Sequence, residues 1–319
     1  MKKRSYELDV DAPENEKFNP GNIPEVTAIQ QEIDSADTFE DAYKIFAKFT
    51  GNRNADVTYA KLRDKGVVSP DLVLFKNKLK HMARQVWDYP ELRGTISDLR
   101  VMDSRKNYHM GVNQTSGGRN ASNIHYNAYR DRSGAEGEQM RQEEAEEIRE
   151  NNLWNGDFDH NGNHELGHLL GYNMAKRNDT EQEAADSNER AETENDIIKE
   201  VMLNRGILTP QQKKQIKYYR SNGKHQGSFG KLNHYKGQID FRGSEAFKGN
   251  AITSEYGKEA PFEFFAETFA DTYTHGTNAK RTSIEVVKEY EKRQKELQKA
   301  KNTYNQSNWF MKLFRRKVG

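Results

Sequence analysis

The chain has no cysteine among its 319 residues. Disulfides and thiolate ligands are therefore excluded, and any metal site must be built from His, Glu or Asp. Apolar residues are also scarce, at 34% against 31% charged. Much of the chain must then be surface, with a compact core in only part of it. No apolar run approaches the roughly 20 residues of a membrane span. Charge of one sign is lacking too: the net charge is +1, so no global field draws the molecule to nucleic acid. The N-terminus is basic from Lys2 to Arg4 but passes at once to Glu7, Asp9 and Asp11. It has no apolar signal core, so a cytoplasmic protein is expected, with non-classical delivery or virion packaging open as routes. A length of 319 suits one large domain or two smaller ones.

In chain order, residues 1–36 are polar and are expected to be extended or disordered. Residues 37–95 read as a helical domain or cap. Asp37 serves as N-cap with Glu40 three residues on, and Phe39, Ala42, Tyr43, Phe46 and Phe49 follow at helical spacing. Ser69-Pro70-Asp71 starts a second helix, with Pro at its first position, whose apolar face runs from Leu72 through Phe75, Leu79, Met82 and Val86 to Trp87. From residue 96 the period changes to two. Leu99 and Val101, then Tyr108, Met110 and Val112, then Ile124, Tyr126 and Ala128 mark strands, with a loop at Gly117-Gly118. Residues 122–129 are the candidate edge strand for β-augmentation by a peptide, with an ordinary inner strand as the alternative. Glu136 to Asn151 reads as a solvated helix with i,i+4 charge pairs.

His164-Glu165-Leu166-Gly167-His168 has the form H-E-x-x-H. On a helix, residues four apart share a face, so both imidazoles can grip one ion. Glu165 can then reach a water in the ion's open coordination position as a general base. Leu166, Leu169 and Leu170 give the segment an apolar side. Gly167 and Gly171 each cost about 1 kcal/mol in a helix, which suggests that a backbone or a ligand comes close. The extended pattern H-E-x-x-H-x-x-G-x-x-H fails, because its last position is Met174, a poor ligand beside hard oxygen chemistry. The third ligand must come from elsewhere. In Pro261-Phe-Glu263-Phe-Phe-Ala-Glu267-Thr-Phe-Ala-Asp271, three carboxylates fall four apart on an otherwise aromatic helix. Buried carboxylates need a partner. Glu263 can complete a His, His, Glu set for zinc, and Glu267, one turn on, can accept the N–H of a ligating histidine; the alternative is an amphipathic helix with its acids in water.

These motifs, with Tyr256-Gly257, Glu263-Phe264-Phe265-Ala266-Glu267 and Phe269, resemble the catalytic domain of the anthrax lethal factor group of zinc peptidases, a branch of the gluzincins. The resemblance covers residues 158–275, without the polar insertion inside it and without the first hundred residues. It implies zinc held by His164, His168 and Glu263, water activated by Glu165, an oxyanion steadied by Tyr256, and Glu267 behind the ligands. The expected fold is α+β: a zincin-like domain over 96–280, with a small mixed sheet, the H-E-x-x-H helix and the glutamate-ligand helix, preceded by the N-terminal helical region.

A charged insertion spans 177–250. Glu181 to Glu200 reads as one acidic helix. Between Leu208 and Ile239 there are seven Lys or Arg, no acid, and Tyr218, Tyr219 and Tyr235 interleaved. Such a run can track a nucleic-acid strand or pair as a solvated face with the acidic stretch before it; the near-neutral whole chain favours the second. Residues 281–319 hold a helix from Ser283 to Lys301 with charge on most faces. A basic amphipathic tail follows from Trp309 to Lys317, able to dock on the protein's own core or on an anionic membrane. The residues together point to a zinc metalloendopeptidase acting on a protein or peptide. Two other readings stay open: a phage or mobile-element structural protein with a non-catalytic zinc site, and a nucleic-acid-associated protein using residues 213–236.

Overall fold

The computed structural model describes residues 23–59, 71–102, 110–114, 122–151, 160–175, 187–228, 230–249 and 252–317. The Gly117-Gly118 loop, Tyr108 and the acidic residues 181–186 lie outside the described residues.

The first helix, α1 (Pro24–Asp34), falls where an extended segment was expected. Pro24 opens it with its φ already set for a helix, and Val26 and Ile33, seven apart, are buried. Helix α2 (Phe39–Phe49) starts one residue later than expected. Its N-cap is Thr38, whose hydroxyl accepts the Asp41 N–H at 3.0 Å. Strand β1 (Val57–Tyr59) follows. Helix α3 (Leu72–Asp88) is capped by Asp71, which accepts the N–H groups of Val73 and Leu74. The helix therefore begins after Asp71, and Pro70 precedes the cap rather than opening the first turn.

Strands β2 (Ile96–Met102), β3 (Met110–Gln114) and β4 (Ser122–Asn127) join β1 in a four-stranded mixed sheet of order β1-β2-β4-β3. β1, β2 and β4 run parallel, and β3 is antiparallel to β4. Residues 122–127 thus form an inner strand paired on both sides. The edge beside the rest of the molecule is β3, and the expectation of an edge strand at 122–129 is corrected accordingly. The Lys78–Asp131 ion pair, at 3.2 Å and with both side chains fully buried, ties α3 to the segment after β4. The Tyr43 hydroxyl donates to Ser97 O and ties α2 to β2.

Helix α4 (Ala135–Asn151) is the charged helix expected there. Helix α5 (Asn161–Ala175) carries H-E-x-x-H and packs against α3 and β3. Helix α6 (Ser187–Asn204) lies within the supposed insertion but is a core element. Its Ile197, Ile198, Val201 and Met202 are fully buried, and it packs on α5. The short α7 (Pro210–Lys214) and a hairpin of β5 (Gly223–Gly227) and β6 (Gly230–His234) complete that stretch. Ile239, Phe241 and Phe247 from its end also enter the core.

Helix α8 (Pro261–His275) lies against α5 and α6. Gly276, at φ 54°, ends it; only glycine takes that backbone without cost. Helix α9 (Arg281–Lys317) is one continuous helix. Its first turns are not charged all round, because Ile284, Val286, Val287 and Tyr290 are fully buried. One apolar cluster runs from Ile33 through the sheet, α5 and α6 to Tyr290. Among the described residues no helix is long and apolar enough to cross a membrane.

Candidate metal centre

The site forms where α5 crosses α8. A Cβ on Gly167 would stand 2.9 Å from the Ala266 Cα, so glycine here lets the two backbones touch. The approach expected at Gly171 is made by a side chain, since a Cβ there would overlap the Glu194 carboxylate. With the helices this close, side chains one turn apart on each can meet across the crossing.

His164 Nε2 lies 3.2 Å from Glu263 Oε2, and His168 Nε2 lies 3.3 Å from the same oxygen. The two imidazoles stand nearly perpendicular, 4.7 Å apart at their centroids. Among the described residues this is the one group of three His or acidic side chains whose ligand atoms all lie within 4.8 Å of one another. Two residues from the middle of the sequence and one about a hundred positions later are thus brought together. His164 Nδ1 sits 2.8 Å from Glu267 Oε1. With the Nδ1–H donating there, Nε2 is the ring atom left to face Glu263 and the space between the ligands, and it would give up its proton to a bound ion. The donor set fits a metal ion: two imidazole nitrogens and one carboxylate oxygen converge, and one ligand ring is already held in orientation by Glu267.

Without an ion, protons on the imidazoles supply the positive charge that a metal would bring. Burial alone would push the His164 imidazole down, but Glu263 and Glu267 hold its pKa well above the ordinary 6.5. Burial would raise the Glu263 carboxyl, but the His168 and His164 imidazoles hold it well below its ordinary 4.5. A carboxylate in this place requires positive charge beside it.

Tyr256 lies just before a 3-10 turn, Gly257–Glu259, that leads into α8. Its ring is 5.8 Å from that of His164. Burial first, and then the Glu263 charge and hydrogen bond, push its phenol well above the ordinary 10.0. It therefore stays protonated and able to donate. Glu165 is half-buried, and its charge is felt by both His164 and Tyr256. Asp271, third in the line of carboxylates, does not join the centre. It accepts the Lys280 backbone N–H at 2.9 Å and pairs with His275 Nδ1 at 2.7 Å.

Two features were invisible in the sequence. The fully buried Ser254 donates its hydroxyl to Glu267 Oε2 at 2.6 Å and accepts the Gly257 N–H at 2.9 Å. It thereby joins the carboxylate behind His164 to the turn that carries Tyr256. The second feature is the β5–β6 hairpin, which is fastened to that same turn through Glu259. The Ser228 N–H and hydroxyl and the Arg242 guanidinium all donate to this buried carboxylate. A serine in a loop and a pairing between positions 228 and 259 have no periodic signature. No protein-family model, curated protein or solved structure matches the chain.

Proposed function

We propose that the protein is a zinc-dependent metalloendopeptidase of the lethal-factor-like, gluzincin kind. The observation that carries this reading is the convergence of His164, His168 and Glu263, with Glu165 on the same helix beside them. Zinc is the metal that such a His, His, Glu set suits, with a fourth position left for water. When bound, it would supply a Lewis acid and lower the pKa of that water.

The chain's own groups then divide the work. Glu165 takes a proton from the attacking water and passes it to the leaving amine. The Tyr256 phenol, kept neutral, donates to the oxygen on which negative charge develops, and its hydrogen bond strengthens as that charge grows. Glu267 holds His164 in one tautomer, and Ser254 holds Glu267. The outer edge of β3, which has no further partner among the described strands, lies beside α5. Such an edge would offer backbone N–H and C=O groups to an extended peptide. An antiparallel edge packed on the helix that carries the general base is where a scissile bond would be presented.

Glu165→Gln tests the reading. The variant keeps the ligand set, so zinc content should equal that of the wild type while cleavage of peptide substrates disappears. Cleavage that survives the change removes Glu165 from the chemistry. A fourth protein ligand found on the bound metal would instead favour a purely structural site.

A further inference from the structure

Residues 208–239 contain seven Lys or Arg and no acid in a chain of net charge +1, so the remainder carries a net −6. Within this stretch Lys214, Lys217, Arg220, Lys224, Lys231 and Lys236 are exposed. None of the seven cations forms an ion pair with a described residue. The pairing with the preceding acidic helix that the sequence favoured is thus not found among the described residues. Exposed cations concentrated on one small unit, with Glu245 felt by Lys217, make a positive field that an outside partner of opposite charge can neutralise.

That unit is held to the metal centre at its base. The Ser228 N–H lies 2.9 Å and 3.0 Å from the two Glu259 oxygens, and Arg242 Nη2 lies 2.7 Å from Oε1. His225 Nε2 donates to the Glu259 carbonyl at 2.7 Å, and Arg242 Nη1 donates to Gln226 O at 3.0 Å. Glu259 stands three residues after Tyr256 and four before Glu263. The hairpin is therefore fixed to the piece of chain that bears both groups.

We infer that the β5–β6 hairpin, with the segment leading into it from α7, is a recognition platform for an acidic stretch of the polypeptide substrate. The inference rests on the peptidase reading for the word substrate, but the binding preference stands on the hairpin alone. Lysine ammonium groups on free stems suit carboxylates arriving in varied geometry, and exposed complementary charge raises the encounter rate. Nucleic acid fits less well. Single strands need several open aromatic faces, whereas of the three interleaved tyrosines only Tyr218 is exposed, with Lys199 over its ring at 5.3 Å, and the Tyr219 ring is stacked on His234 at 4.0 Å.

The test uses the full-length Glu165→Gln protein loaded with zinc. Fluorescence anisotropy compares a Glu/Asp-rich peptide, the same peptide with Gln and Asn in place of the acids, and a single-stranded oligonucleotide. The acidic peptide should bind about tenfold more tightly than its neutral twin, and the advantage should shrink as salt rises. Adding Lys224→Glu and Lys231→Glu should reduce affinity for the acidic peptide about tenfold, by turning two exposed attractions into repulsions. Lys224→Gln with Lys231→Gln should give a smaller loss in the same direction, and serves if the reversed variant fails to fold. Equal binding of the two peptides, or tighter binding of the oligonucleotide, overturns the proposal. A wild-type protein that binds the acidic peptide yet cleaves nothing would overturn the catalytic reading instead.

Discussion

Replacing Ser254 by alanine probes how far the centre depends on groups that never touch the metal. The hydroxyl makes a 2.6 Å bond to Glu267 Oε2 and accepts the Gly257 N–H at 2.9 Å, in a fully buried place. A hydrogen bond to a charged group contributes about 1.5–3 kcal/mol, and each buried partner left alone costs about 1–3 kcal/mol. Glu267 would keep its contact with His164 but lose the bond that sets its orientation. Losses of zinc affinity of about 10–100-fold follow from disturbing a group behind a metal ligand. That range corresponds to about 1.4–2.8 kcal/mol, in agreement with the hydrogen-bond figure. Chelator competition measures the zinc affinity without reference to activity. Glu267→Gln measured alone and with Ser254→Ala should give less than the sum of the single losses, because both changes cut one chain of contacts. Zinc affinity within twofold of wild type in Ser254→Ala would refute the reasoning, as would strict additivity.

Gly167→Val should open the helix crossing, because a Cβ there would lie 2.9 Å from backbone of α8; overpacking of this kind costs about 1–3 kcal/mol, and both melting temperature and bound zinc should fall together. Removing metal with a chelator should lower the melting temperature and restoring zinc should raise it, since a ligand at 100 times its Kd stabilises by about 2.7 kcal/mol; a melting curve indifferent to zinc would contradict the ligand assignment. The Asp271 hydrogen bond raises the His275 imidazole above its ordinary 6.5. A raised basic group stabilises fully below its unfolded pKa, so this contribution is present below about pH 6.5 and fades as pH rises through the folded value. His275→Asn should therefore flatten the loss of thermal stability on going from slightly acid to slightly alkaline pH, and an unchanged slope would show that the pair contributes nothing.

The parts of the centre that were legible in the sequence are those with a short, strict period. His164 and His168 four apart, and Glu263 and Glu267 four apart, each announce one face of one helix. That the faces meet follows from what each lacks: two imidazoles short of a ligand, and two carboxylates too costly to bury alone. Strand existence was legible in the same way from the alternation at Leu99 and Val101 and at Ile124 and Tyr126. Strand order was not, because β2 pairs with β4 across an intervening β3, and no local pattern records which strand ends outside. The burial of α9 was hidden for a different reason. Glu289 and Glu291, on different sides of it, are both buried, where Arg205 reaches Glu289 and the Tyr89 hydroxyl donates to Glu291. Charge at buried positions erased the apolar stripe that marks a core helix.

The same contrast explains why the hairpin counts as more than a charged insertion. A carboxylate inside a protein is tolerated only when donors surround it, and that of Glu259 gathers three, the Ser228 amide and hydroxyl and Arg242, while His225 donates to the backbone carbonyl of the same residue. All come from residues 225–242, so the folded position of the turn before α8 depends on the hairpin being in place. Breaking this clasp by Glu259→Gln should leave the α5–α8 crossing intact, because none of its bonds reaches α5. It should therefore weaken the hold on Tyr256 more than the hold on zinc. The expected signature is a fall in kcat at nearly constant zinc affinity, partly recovered by Glu259→Asp. Zinc affinity falling in step with kcat would mean that the clasp supports the ligands themselves, and the separation argued between hairpin and metal would be lost.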